Sequence, residues 1–590
     1  MQTDPLLSQF GGFNMRIRIW YVLLLFVMSI FVVRLFYLQV IKHDYYSKAA
    51  LSGQLKQYEI PAVRGIISAH DGDSTLPIVL NETLYTLFVD PKFIKDPYAS
   101  AQKVQQVIGG NISDYEQAMR QSNRYDILAK KLTKDQKTKL DNLQIKGLGT
   151  RDEPHRTYPQ GSLAAQVLGF VNDDGSGEYG VEQFLNKSLT GQPGQLKAIT
   201  DAQGVPLLAN PNNVITQPKN GQSIVLTVDI SMQKQLEDIL QAGLKKANST
   251  SGSALIMDPN TGAVKAMANF PTYSPSEFYK VSDPSVFNDA AVSSPLEVGS
   301  VMKTLTAASA LDQGVVTTDT TYYDPSHFVV DGYTIKNIEE DGGPGTRRLQ
   351  DILQLSLNTG ATWMLMQMGG GQINAKARNA WYDYMVNHYQ LGKPTGIEQG
   401  YEAAGTIPDP NKGYGLNLQY ANTAFGQGMS ATPLQMAAAL SSVLNGGTYY
   451  QPRLVDALVD SSGKQITQSP KVIDSHVVKP EVSKTMQGLM EYVVQKNHGI
   501  YGMPQLPSSI YTIGGKTGTA EITKPGGGYY DDKFNGTFVG FVGGDKPQYV
   551  IVIRVDDPHI STYAGAGAAA PIFSNLVMML INSSSVTPKS

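Results

Sequence analysis

The segment Gly299-Ser300-Val301-Met302-Lys303-Thr304-Leu305 opens a helix that the pattern carries to about Leu311. Val301, Met302, Leu305, Ala307, Ala308 and Leu311 make that helix apolar nearly all round, which predicts burial. A spacing of three sets Ser300 and Lys303 one above the other on one helix face. A serine hydroxyl is a poor nucleophile without a base. A buried lysine can be that base, because desolvation and a neighbouring cation lower its affinity for a proton. The N-terminus of the helix also offers backbone N–H groups to a developing oxyanion.

The four-residue pattern is cheap on its own. Ser461-Ser462-Gly463-Lys464 repeats it in a polar turn that Gly463 keeps from being helical. Two further elements add specificity. Ser356-Leu357-Asn358 begins 56 residues after Ser300, just past a helical stretch at 349–355. Lys516-Thr517-Gly518-Thr519 begins 160 residues after Ser356, inside a strand-like stretch. Gly514, Gly515 and Gly518 there allow close backbone approach to a ligand. Taken singly, the first element reads as a polar helix cap and the second as a glycine-bearing edge strand. In order, with a buried helix first and a strand last, the three form one constellation.

Working outward, 223–228 reads as a strand and 231–246 as an amphipathic helix. Strands at 253–257 and 263–268 are joined by the turn Asp258-Pro259-Asn260-Thr261-Gly262. A helical middle from 300 to about 444 follows, then strands at 510–522, 537–542 and 549–555. This order predicts an antiparallel sheet with helices packed on it. Upstream, 59–67 is extended, 84–89 is a strand and 101–143 reads as largely helical. That half carries no catalytic constellation and reads as a spacer or partner-binding module.

Near the start, 19–33 is apolar but for Ser29, and after Arg34 the apolar pattern continues to Ile41. The run of about 23 residues is enough to cross a ~30 Å hydrocarbon core. Arg16 and Arg18 precede it, which predicts a cytoplasmic N-terminus and a body outside the cytoplasm. The apolar stretch at 565–581 contains glycines and Pro571 and reads instead as a buried C-terminal helix. The 590 residues include 48 basic and 51 acidic side chains, so there is no basic excess for nucleic acid. There is no cysteine, which excludes a disulfide scaffold, a thiolate metal site and a cysteine nucleophile.

The ordered trio resembles that of penicillin-binding proteins and serine β-lactamases. The whole chain resembles a class B penicillin-binding protein, a monofunctional peptidoglycan transpeptidase. Leu35-Phe36-Tyr37-Leu38-Gln39-Val40 is similar to the family's membrane-exit segment. Arg64-Gly65-Ile66-Ile67, Arg156-Thr157-Tyr158-Pro159 and Gly177-Glu178-Tyr179-Gly180-Val181-Glu182 resemble its pedestal motifs. Phe425-Gly426-Gln427-Gly428, with Thr432-Pro433-Leu434-Gln435, resembles a helix start in its penicillin-binding domain. Two stretches depart from the pattern. Ala69-His70-Asp71-Gly72 stands where the family usually has an Asp-Arg pair, and Val298-Gly299 where Pro-Gly often precedes the nucleophile.

The resemblance implies an α+β, multidomain chain. Its parts would be a cytoplasmic tail (1–18), a transmembrane helix (19–41), a pedestal or dimerisation domain (42–218), a β-lactamase-like transpeptidase domain (219–585) and a tail (586–590). It implies Ser300 as nucleophile, Lys303 as base, Ser356 as proton relay and Asn358 as holder of the acyl amide. Lys516 would keep the site positive, Thr517 and Thr519 would bind the substrate carboxylate, and the N–H groups of Ser300 and Thr519 would form the oxyanion hole, with Gly518 between the two threonines. It implies no metal or cofactor. Its expected partners are peptidoglycan stem peptides, glycan made from the lipid-linked precursor, β-lactams, the cytoplasmic membrane and a membrane glycan polymerase of the shape, elongation, division and sporulation family.

A β-lactamase, a β-lactam sensor and a non-catalytic cell-wall scaffold share parts of this pattern. Class A β-lactamases add a glutamate in an E-x-x-L-N loop after the second element. The match here, Glu182 to Asn186, comes before Ser300. The E-D-x-x-F motif of a glycosyltransferase domain is not found between the span and Ser300.

Overall fold

The computed structural model describes residues 15–46, 55–199, 214–338, 342–460, 462–524 and 526–590. The chain divides into two compact units, Met1–Ala62 with Gly191–Asn220, and Val63–Thr190 with Gly221–Ser590.

In the first unit a helix, Met15–Phe36, continues as one wider turn over Tyr37–Ile41. No side chain of Met15–Phe36 is buried, and the 27 residues are apolar enough to cross a membrane. At 1.5 Å per residue they span about 40 Å, more than a ~30 Å hydrocarbon core. The Arg34 guanidinium lies over the Tyr37 ring, 5.6 Å from its centre. The unit also holds a three-stranded antiparallel sheet with Gly194–Ile199 between Leu55–Ile60 and Val214–Thr216.

In the second unit β1 (Ile67–Asp71), β2 (Ser74–Val89), β3 (Asp126–Leu132), β4 (Leu148–Thr157) and β5 (Ser223–Asp229) come first in the chain. They share a sheet in which β5 pairs parallel to β1, β1 antiparallel to β2, and β2 with both β3 and β4. β3 corrects the reading of 101–143 as largely helical. Three helices, Pro97–Ile108, Ile112–Met119 and Lys134–Asp141, flank it. Its sequence is polar, and the partner that makes it a strand, β2, lies about 40 residues earlier in the chain.

After β5 come α1 (Ile230–Lys246), β6 (Ser251–Met257) and β7 (Val264–Phe270). The helix after Ser300 is α2 (Met302–Asp312), and α3 is Asn358–Met368. The last elements are α4 (Pro480–Asn497), β8 (Thr512–Thr523), β9 (Tyr529–Gly543), β10 (Pro547–Asp556) and α5 (Ala570–Asn582). β7, β6, β10, β9 and β8 form one antiparallel five-stranded sheet in that order, so β8 lies on its edge.

Alternation along β9 sends successive side chains to opposite faces. Phe538 stacks on Phe573 of α5 at 4.3 Å between ring centres. On the other face, a Cβ built on Gly514 would meet both Phe541 and the backbone of Glu491 in α4. Helices therefore cover the sheet on both sides, and the apolar C-terminal helix is mostly buried among them.

A second compact feature lies in the part of this unit before β5. Glu182 is fully buried between two guanidiniums. Arg64 donates to its Oε2 at 2.8 Å from Nε and 2.5 Å from Nη2, and Arg156 Nε donates to Oε1 at 2.7 Å. Asn186 Oδ1 accepts from Arg64 and from the Gly177 N–H. The E-x-x-L-N match is thus committed to structural bonds within this arginine cluster. Glu182→Ala would leave two buried cations without their counter-charge. It should lower unfolding stability by about 3–5 kcal/mol, measured by urea denaturation.

Candidate active site

Ser300 sits in a tight 3₁₀ turn, Gly299–Val301, that runs directly into α2. The backbone before it is pinned from three sides. Leu296 and Ala431 exchange both backbone hydrogen bonds. Thr537 Oγ1 donates to the Val298 carbonyl at 2.9 Å, and the Gly299 N–H donates to the Gly426 carbonyl at 3.1 Å. Earlier in the same segment, Asp289 caps the short helix Ala290–Ser293. Its Oδ1 accepts from the Ala291 N–H at 3.0 Å and from Asn269 Nδ2 at 2.7 Å.

Lys303 lies one turn on from Ser300, with no exposure. Its Nζ donates to Asn358 Oδ1 at 2.8 Å, to the Ser356 carbonyl, and to Ser356 Oγ at 3.3 Å. It also lies over the Phe425 ring, 5.9 Å from the centre. Lys516, 1% exposed, reaches the same hydroxyl from β8. Its Nζ donates to Ser356 Oγ at 2.9 Å and to the Thr517 carbonyl at 3.0 Å. Ser356 Oγ therefore stands between two buried lysine nitrogens.

Ser356 holds a left-handed backbone, φ 61°, between the helix Leu349–Gln354 and α3. A non-glycine residue there carries strain of about 1–3 kcal/mol. The Leu357 N–H, bonded to the Ile352 carbonyl at 3.0 Å, and the Lys303 bond to Ser356 hold it in place. Asn358 Nδ2 donates to the Lys336 carbonyl at 3.1 Å, which aims Oδ1 at Lys303.

Sequence reading missed the supports of this loop. Asp324, fully buried, lies 2.8 Å from Thr359 Oγ1 and accepts from Asn337 Nδ2 at 2.9 Å. The Thr359 N–H donates to Asn337 Oδ1 at 3.1 Å. Asp324 and Asn337 come from two small hairpins inside a stretch read as helical, and no local pattern marks them. Glu297 was also missed. Its Oε1 accepts from Tyr529 OH at 2.9 Å and from the Gly428 N–H at 3.0 Å, and burial raises its carboxyl above the usual range.

β8 can lie against the Ser300 turn only because glycines line the contact. A Cβ on Gly518 would sit 2.2 Å from Thr537 Oγ1 and 2.6 Å from the Val298 carbonyl oxygen. A Cβ on Gly299, φ 64°, would sit 2.7 Å from the Thr519 carbonyl oxygen. Thr519 Oγ1 in turn accepts from the Gly565 N–H at 3.1 Å. By strand alternation Thr517 and Thr519 point to the same side, and both are partly exposed.

The structure thus brings Ser300, Lys303, Ser356, Asn358, Lys516, Thr517, Gly518 and Thr519 to one place. The second copy of the lysine pattern is not part of it. Ser462 to Lys464 form an exposed turn on Asp460, and Ser461 lies outside the described residues. No metal-binding group of acidic or histidine side chains occurs among the described residues.

Residues 252–578 match the penicillin-binding protein transpeptidase domain, more than half of the chain. The chain belongs to the penicillin-binding protein family. Residues 59–226 match the penicillin-binding protein dimerisation domain, the pairing expected of a class B member. Stage V sporulation protein D of Bacillus subtilis is 29% identical over 587 residues, covering 98% of this chain and 87% of that protein. Peptidoglycan D,D-transpeptidase FtsI of Escherichia coli is 25% identical, covering 94% and 89%. The crystal structure of penicillin-binding protein 3 from Mycobacterium tuberculosis, complexed with aztreonam, is similar at a TM-score of 0.67. It is 26% identical and covers 90% of this chain and 98% of that one. This penicillin-binding protein has the two-domain architecture those relatives share.

Burial pushes the Asp289 carboxyl up to about 6. The folded protein then holds that proton more tightly than the unfolded chain. Its contribution is full below the ordinary carboxylate range and is lost as pH rises through about 6. That loss is worth about 3 kcal/mol. Asp289→Asn keeps a capping side chain without the charge. In melts recorded from pH 4 to 8, the variant should lose this fall and be at least as stable as wild type at pH 8.

Proposed function

We propose that the chain is a serine D,D-transpeptidase that cross-links peptidoglycan stem peptides and is acylated by β-lactams. The observation that carries this reading is that Lys303, one helical turn from Ser300, meets Lys516 at Ser356 Oγ. Ser300 Oγ attacks the carbonyl between two D-alanines, and Lys303, buried beside it, takes the hydroxyl proton. As the C–N bond breaks, Ser356 delivers a proton to the departing D-alanine amine and is reprotonated across the lysine pair. The acyl group stays on Ser300 as an ester until an amino group of a neighbouring stem displaces it and restores the serine.

Asn358 holds the acyl amide during these steps. Thr517 and Thr519 bind the donor carboxylate beside Lys516, and Gly518 keeps the strand close to the nucleophile. The N–H groups of Ser300 and Thr519 stabilise the oxyanion, where one donor is worth about 3 kcal/mol. No step calls on a metal or an organic cofactor. A β-lactamase would add a base that activates water against the ester. Glu182, the glutamate in an E-x-x-L-N context, is instead held between Arg64 and Arg156.

The N-terminal apolar helix anchors the chain in the bacterial cytoplasmic membrane, with Arg16 and Arg18 on the cytoplasmic side and the catalytic part outside. Glycan strands come from the lipid-linked precursor through a membrane polymerase of the shape, elongation, division and sporulation family. The domain division that goes with this reading keeps the pedestal at 42–218 and the transpeptidase domain at 219–585.

Lys303→Ala tests the assignment of the base. Labelling by a fluorescent penicillin should slow by about 10²- to 10⁴-fold, while the variant keeps a cooperative thermal melt. Normal labelling of a folded variant would place the base elsewhere.

A further inference from the structure

We propose that Glu521 is a specificity residue of the donor cleft, taking a basic side chain on the stem residue that precedes the acyl D-alanine, an inference that rests on the transpeptidase reading above. Glu521 lies on β8, two residues after Thr519. The β8–β9 register runs unbroken from Thr512 to Glu521, and its shift comes only after Glu521. Side chains two apart along a regular strand share a face. Thr517, Thr519 and Glu521 therefore form one row, and all three are partly exposed while Lys516, Gly518 and Ala520 between them are buried.

That row gives the donor a direction. In the transpeptidase reading its carboxylate lies at Thr517 and Thr519 beside Lys516, and its scissile carbonyl lies between the N–H groups of Ser300 and Thr519. The acyl portion then continues away from Lys516, along the free edge of β8 toward Glu521. Two strand residues carry Glu521 about 7 Å past Thr519. The residue before the acyl D-alanine is one Cα step of about 3.8 Å farther along, and a long amino side chain covers the remainder. The reaction itself requires stems that bear a free amino group, because one of them attacks the acyl-enzyme. A donor built like its acceptor brings that group, protonated, into the same cleft.

The far end of the row is negative and lacks a counter-ion of its own. Gln427 Nε2 donates to Glu521 Oε2 at 3.4 Å, which leaves most of the carboxylate's acceptor capacity open. The next residue, Gly428, donates its N–H to Glu297 Oε1 at 3.0 Å, so consecutive residues of one loop hold two carboxylates. Among the described residues neither Glu521 nor Glu297 forms an ion pair, and the lysines of the β8–β9 hairpin are engaged elsewhere. Lys516 is on Ser356 Oγ, Lys524 lies 3.7 Å from Asp531 and Lys533 lies 3.1 Å from Asp557. A partly buried carboxylate without a counter-ion favours a ligand that supplies one.

The probes are three D-alanyl thioester donors with a carboxylate on the leaving group, carrying lysine, norleucine or glutamate before the D-alanine, used with the full chain. Wild type should favour the lysyl over the norleucyl donor by about 3- to 10-fold in kcat/KM, the effect of one charge-assisted contact in a partly open cleft. Glu521→Gln keeps the shape without the charge and should bring that ratio below about 2-fold. Glu521→Lys should reverse the order and favour the glutamyl donor. Equal rates on the lysyl and norleucyl donors in wild type, a ratio that survives Glu521→Gln, or an unchanged order in Glu521→Lys would overturn the proposal. Failure of the wild-type protein to form an acyl-enzyme with any of the donors would instead remove the transpeptidase reading, and this inference with it.

Discussion

Lys303 and Lys516 are both buried, and both place their side-chain nitrogens on the hydroxyl of Ser356. A buried lysine nitrogen is costly unless its N–H bonds find acceptors. The acceptors of Lys303 include Ser356 Oγ, the Ser356 carbonyl and Asn358 Oδ1. Those of Lys516 include Ser356 Oγ, the Thr517 carbonyl and the more distant Thr517 Oγ1. A helix, a loop and an edge strand must come together to supply them. Ser356 carries local strain in its left-handed backbone, and in that turn its carbonyl and hydroxyl both face the Lys303 nitrogen.

Much of the surrounding fold serves that convergence. The five-stranded sheet ends in β8, so Lys516-Thr517-Gly518-Thr519 lies on a free edge, open to the turn that holds Ser300. Gly299 and Gly518 remove the side chains that would hold the two apart, and Gly426 lets its own loop lie against Gly299. On the other side, Asp324, Asn337 and Thr359 lock the start of α3, and with it Asn358. The result is a cleft whose polar groups are fixed by bonds to protein before substrate arrives, the condition under which hydrogen bonds contribute most to catalysis.

What the sequence reveals here follows from how local each signal is. The Ser300–Lys303 pair is legible because both residues lie on one apolar helix, and 3.6-residue periodicity predicts its burial. Strands β6, β7, β9 and β10 are legible from their apolar runs and from the Asp258–Gly262 turn. β3 is not, because a polar sequence becomes a strand only through pairing with a distant partner. Glu297 and Asp324 are not either. Each acts through a partner, 35 residues away for Asp324 and Thr359 and 232 for Glu297 and Tyr529. The order of the three motifs pointed to the family, and the fit of 252–578 to its transpeptidase domain established membership.

In the transpeptidase reading, Ser300 forms a covalent acyl-enzyme that water clears slowly. Ring opening of a β-lactam leaves its amine tethered beside the ester, and no glutamate in an E-x-x-L-N context follows Ser356 in the sequence. The most direct measurement is intact-protein mass spectrometry after penicillin treatment, followed over hours and mapped by peptide digestion. The expected result is a mass increase of one drug molecule, on the peptide containing Ser300, that persists. No adduct, an adduct on another residue, or rapid loss with repeated drug hydrolysis would contradict it.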